Sequence, residues 1–142
     1  MSDALFLQPE VAAAISRLPT RHASLLELCM AIQQIPAPTF DEGRRAGFIE
    51  AGFRSLGLHN VARDELHNVV GRLPGQGRGK ALLISAHLDT VFPATADLSV
   101  RVDEEAQRIG GPGIGDNSAG VAGLLQIAEV LRELLDKHFP EA

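Results

Sequence analysis

Two short segments hold the residues best suited to chemistry. In ALLISAHLDTVFP, residues 81–93, an apolar run stops at His87 and Asp89 follows two positions later. In GGPGIGDNSAG, residues 110–120, a glycine-rich turn presents Asp116 and opens into an apolar helical pattern. One imidazole and two carboxylates, each at the edge of a regular element, suggest a site rather than a surface. One carboxylate can hold a ring nitrogen of the histidine and fix its tautomer while the other nitrogen faces an ion.

The same residues also have plainer readings. His87-x-Asp89 can be a strand-end histidine bonded to a neighbour, followed by a turn-starting aspartate. Asp116 and Asn117 can be the N-cap of the helix that follows. Gly111, Gly113 and Gly115 can take positive φ and bring the backbone close to a ligand. A phosphate loop at a helix N-terminus is a third reading, but its fingerprint is missing. Neither G-x-G-x-x-G nor G-x-x-x-x-G-K-[ST] occurs; Ser118 stands where the third glycine belongs, and Asp116 would repel phosphate.

The elements that must position these groups follow from periodicity. Pro9 suits a first helical turn, and residues 10–18 form a helix that Pro19 ends. A second helix spans residues 23–34, with Leu25, Leu28, Cys29 and Ile32 on one face. IPAPT, residues 35–39, forbids regular helix. Thr39-Phe40-Asp41-Glu42 has capping-box spacing, and its helix runs to Leu56, burying Phe48, Ile49, Phe53 and Leu56, with Gly57 as the stop. Residues 60–64 and 68–73 read as strands, and residues 74–80 as a turn or loop. Residues 81–85 are apolar up to Ser85, the pattern of a strand covered on both faces. Residues 98–103 and 107–109 form a hairpin around Glu104-Glu105. Residues 118–135 close the chain as an amphipathic helix carrying Val121, Leu124, Leu125, Ala128, Leu131 and Leu135. This order predicts an α/β fold: a mixed sheet flanked by helices. The buried strand lacks neighbours and the closing helix leads to no strand, so residues 1–142 are expected to be the N-terminal part of something larger.

Composition narrows the partners. A net charge of −5 over 142 residues disfavours a phosphate backbone, and 4% aromatic content disfavours base stacking, so no nucleic-acid partner is expected. No apolar run approaches the roughly 18 residues of a membrane span, and the N-terminus lacks a basic n-region, so neither membrane nor leader is expected. The single cysteine, Cys29, reads as core and fits a cytoplasmic location.

Taken together, SAHLDTVFP (85–93) and GPGIGDNSAG (111–120) resemble the M20 family of zinc metallopeptidases and amidohydrolases, the group of aminotripeptidase, carboxypeptidase and aminoacylase types. IPAPTFDEG (35–43) and ELHNVVGRLPG (65–75) are similar to that family's N-terminal stretches. The resemblance implies that residues 1–142 are the N-terminal part of a catalytic domain, without its lid or dimerisation domain. It implies that His87 ligates a metal ion, that Asp89 is the catalytic residue orienting His87, and that Asp116 bridges two ions. The cofactor implied is zinc, with cobalt or manganese as alternatives, and the peptide between Asp116 and Asn117 is often cis in such enzymes. The implied substrate is a small peptide or N-acyl amino acid, cleaved by metal-activated water.

Ser118 departs from the family, where a lysine is often found. The family's Glu-Glu pair, further acidic ligand and late histidine have no counterpart here. Glu104-Glu105 precedes Asp116; Glu129 and Glu133 lie in the closing helix; His22, His59 and His67 fit no ligand spacing. The chain alone is therefore expected to bind metal weakly and to be inactive. A non-catalytic binding module of the same fold is the alternative, and self-association through uncovered apolar edges is expected.

Overall fold

Pro9 opens helix α1 (Pro9–Arg17), as its missing N–H and preset φ allow. The computed structural model describes residues 8–75 and 80–138. Pro19 does not break the chain away from helical geometry. A 3-10 turn (Leu18–Arg21) carries it directly into α2 (His22–Gln33). Helix α3 spans Gly43–Ser55 and stops where expected, with Gly57 at φ 71°. A bulged antiparallel hairpin follows, β1 (His59–Arg63) with β2 (Val69–Arg72), pairing His59 with Arg72 and Arg63 with Val69. A second hairpin joins β3 (Arg101–Asp103) to β4 (Arg108–Gly110). A π turn at Ile114–Ser118 then leads into α4 (Ala119–His138).

The core lies where α2, α3 and α4 meet: Cys29 and Ile32 from α2, Ile49 and Phe53 from α3, and Val121, Ala122 and Leu125 from α4. The larger of these, Ile32, Ile49, Phe53, Val121 and Leu125, each contribute about 1.5–3 kcal/mol by leaving water. Phe48, expected inside, is 38% exposed, because Ala46, Ile49 and Phe53 already fill the inward face of α3. Arg21, at the end of the 3-10 turn, ties that turn to α4 by donating to Glu129 at 2.6 Å and Glu133 at 2.5 Å, which places both glutamates in a surface ion network.

The α/β expectation is met in part. Among the described residues helices accompany two separate two-stranded antiparallel sheets, consistent with part of an α/β domain, and the single mixed sheet does not form. Residues 81–85 are in no strand, and Leu82 and Leu83 are 83% and 85% exposed. A strand buried on both faces needs a hydrogen-bonding neighbour on each side, and none of the hairpin strands supplies one. The expected loop at residues 74–80 lies partly outside the described residues.

Candidate metal centre

The segment that carries His87 and Asp89 is irregular, so its position is set from outside. Arg45, on α3, is 1% exposed and reaches two main-chain carbonyls. Its Nε and Nη2 donate to Ile35 O at 3.1 and 2.7 Å, and Nη1 donates to Leu88 O at 2.8 Å. Burial pushes the Arg45 pKa down, and the charge of Asp89 works the other way. Thr90 N donates to Ala37 O at 2.7 Å, and Pro38 and Thr90 form a parallel bridge. The IPAPT segment and the LDT segment thus run side by side, clamped by one buried guanidinium.

The glycine turn is pinned separately. Gln33, fully buried at the end of α2, donates from Nε2 to Pro112 O at 2.9 Å and to Leu98 O at 3.1 Å. Of Gly111, Gly113 and Gly115, only Gly113 takes a positive φ, 71°. A Cβ there would stand 2.9 Å from Thr90 Cγ2, so the turn packs directly onto the LDT segment. Gly113→Ala is expected to cost about 1–3 kcal/mol, from left-handed backbone and this contact together. A urea titration checks it; an unchanged midpoint would mean that the turn does not rest on Thr90.

These two supports bring the three residues together. His87 Nδ1 donates to Asp89 Oδ1 at 3.0 Å, with Asp89 O a further acceptor at 3.2 Å. On the other side of the ring, Nε2 lies 2.9 Å from Asp116 Oδ1. Partial burial lowers the His87 pKa, but the hydrogen bonds from Asp89 and Asp116 outweigh it and the net shift is upward. Asp89 is shifted down, chiefly by the hydroxyl of Thr39 and then, against some burial, by His87. The Asp116 side chain is 86% exposed, so the His87–Asp116 edge opens to solvent.

Asp116 and Asn117 are not the N-cap of α4. They sit in the π turn with non-helical φ/ψ, and the peptide between them is cis. Asn117 Nδ2 donates to His87 O at 3.3 Å, a second tie between the two segments. The capping box at residues 39–42 does not form either. Thr39 Oγ1 donates to Asp89 Oδ2 at 2.9 Å, while Glu42 Oε1 accepts from Phe40 N at 2.7 Å. The capping spacing concealed a threonine directed at the site. Arg45, Gln33 and Asn117 were also missed: a buried arginine or glutamine carries no local signature, since its partners are carbonyls 10 to 79 residues away.

One imidazole nitrogen and one carboxylate oxygen converge on an open edge, and a second carboxylate holds the opposite ring nitrogen. That donor set suits zinc. Among the described residues no three His, Cys, Asp or Glu gather closely enough to hold an ion.

The sequence profile of peptidase family M28 matches residues 68–139, half of the chain and both candidate segments. The chain belongs to peptidase family M28. Among curated proteins, carboxypeptidase G2 of Pseudomonas sp. (strain RS-16) is 34% identical over 92 residues, which is 61% of this chain and 22% of that protein. The M28 chain thus spans less than a quarter of the length of the curated relative it matches. The family found is M28 where the paired motifs resemble M20; the two agree at the level of zinc exopeptidases.

Proposed function

We propose that this chain is the metal-holding N-terminal part of a zinc peptidase or amidohydrolase that cleaves peptide or N-acyl amide bonds of small substrates. The observation that carries the reading is the ring of His87, held at Nδ1 by Asp89 and facing Asp116 with Nε2 at 2.9 Å. The M28 match and the likeness to carboxypeptidase G2 support the peptidase class. The narrower M20-type, two-ion reading rests on the order and content of SAHLDTVFP and GPGIGDNSAG.

His87 Nε2 and Asp116 would hold zinc, which when bound polarises a carbonyl and lowers the pKa of water to near neutral. This chain's own part is orientation. Asp89 keeps the Nδ1 proton in place and so leaves Nε2 as the outward nitrogen, raising the basicity of the ring. Asn117 and Arg45 hold the backbone at His87 and at Leu88, the residue after it. The general base and the remaining ligands would come from elsewhere in the complete protein.

Zinc titration calorimetry tests the reading. The 142-residue chain is expected to show one weak site, lost by at least about 100-fold in Asp116→Ala, a larger loss than removing a supporting partner causes. Equal zinc binding by wild type and Asp116→Ala would sink it. Tight binding of two ions would contradict the half-site. In the complete protein, peptide or N-acyl amide hydrolysis should stop on chelation and in Asp116→Ala. Activity that survives both would overturn the metal reading, and a complete protein without such activity would leave the non-catalytic one.

A further inference from the structure

The hydrogen bonds that hold His87 do not end at Asp89. Asp89 Oδ1 accepts from His87 Nδ1 at 3.0 Å, and Asp89 Oδ2 accepts from Thr39 Oγ1 at 2.9 Å. A carboxylate with a single partner can turn about its terminal torsion, which is broad and two-fold. With donors on both oxygens, from residues 50 positions apart in one case, its plane is set. Thr39 is itself set by its neighbours: Ala37 accepts from Thr90 N, and Pro38 bridges to Thr90. Arg45 holds Ile35 and Leu88 at the upstream end of the same two segments. Thr39 lies outside the stretch that the M28 profile matches, residues 68–139.

We propose that Thr39 is a positioning residue: its hydroxyl fixes the plane of Asp89, and through Asp89 the ring of His87, so that Nε2 points at Asp116. The inference rests on the reading of Nε2 as the metal-facing nitrogen, and its test separates the two. Thr39 is exposed, so removing its hydroxyl leaves the core untouched.

The experiment is a long-range proton–nitrogen correlation spectrum of the His87 ring in the full chain, without metal and during zinc titration. Wild type, Thr39→Val and Thr39→Ser are compared, with urea unfolding recorded for each. Without metal, wild type and Thr39→Ser are expected to show an ordered Nδ1 proton, and Thr39→Val to lose it at an unchanged urea midpoint. Zinc affinity read from the ring shifts should fall about 10–100-fold in Thr39→Val and return in Thr39→Ser.

An Nδ1 proton that persists in Thr39→Val, or is absent from wild type, overturns the inference. So does a loss in Thr39→Val that Thr39→Ser shares. If wild type binds no zinc but the Nδ1 proton still depends on the hydroxyl, the positioning role stands and the metal reading fails.

Discussion

Arg45→Ala is expected to lower the unfolding free energy by about 3–5 kcal/mol, the largest single effect on this fold. The side chain is buried and makes three hydrogen bonds to main-chain carbonyls, two to Ile35 and one to Leu88. Truncation empties a large volume and leaves both carbonyls without a donor. An unpaired buried polar group costs about 1–3 kcal/mol, so two of them with a cavity reach the stated range. Arg45→Lys retains the cation but offers a compact head in place of the planar fork. It cannot span Ile35 O and Leu88 O together, so a smaller loss, about 1–3 kcal/mol, is expected. Urea unfolding of the three proteins gives the order. A domain holds only about 5–15 kcal/mol in total, so the alanine variant should lie near the edge of folding. A loss under about 1 kcal/mol for alanine would show that the two segments stay together without the guanidinium.

Concentration-dependent self-association of the 142-residue chain is the second large effect expected, and Leu83→Lys should suppress it. Leu82, Leu83 and Ile84 are 83%, 85% and 43% exposed in unbroken sequence, and Leu66 and Val70 nearby are 78% and 59% exposed. Between the 81–89 segment and β2 lies a cavity of about 350 Å3, lined by Val69, Gly71, Leu83, Ala86 and Leu124 among others. An exposed apolar stretch outside any assigned strand, beside such a cavity, is a site for strand addition. A lysine in its centre places charge where a neighbouring strand would pack, the device by which natural edges stay single. Sedimentation over a range of concentrations measures it: wild type is expected to shift to dimers or larger species, and Leu83→Lys to remain a monomer. A monomeric wild type at every concentration would contradict it.

The helices and several of their ends were legible because they depend on near neighbours, although the chain passes Pro19 through a 3-10 turn and α3 starts at Gly43 rather than from a Thr39 cap. Pro9, Gly57 and the 3.6-residue spacing of Cys29, Ile32, Ile49, Phe53, Val121 and Leu125 act within a turn or two of themselves. The hairpin around Glu104-Glu105 was legible for the same reason, and so were the strands at 60–64 and 68–73, though not their pairing; each pair is closed by a short turn. Residues 81–85 were misread because an apolar run states only that it can be covered. Whether it becomes a strand depends on partners that local sequence does not contain.

By itself, the sequence determined which residues could do chemistry, His87, Asp89 and Asp116, through residue type and glycine-rich context. Only the tertiary structure decided how they meet. It turned Thr39 from a helix cap into a donor to Asp89, moved Asp116 and Asn117 out of the N-cap, and buried Arg45 between two carbonyls. The physical reason is separation along the chain. His87 and Asp116 are 29 residues apart and Thr39 and Asp89 are 50 apart, so their 2.9 Å contacts exist only once the α2–α3–α4 core has folded and brought the segments together.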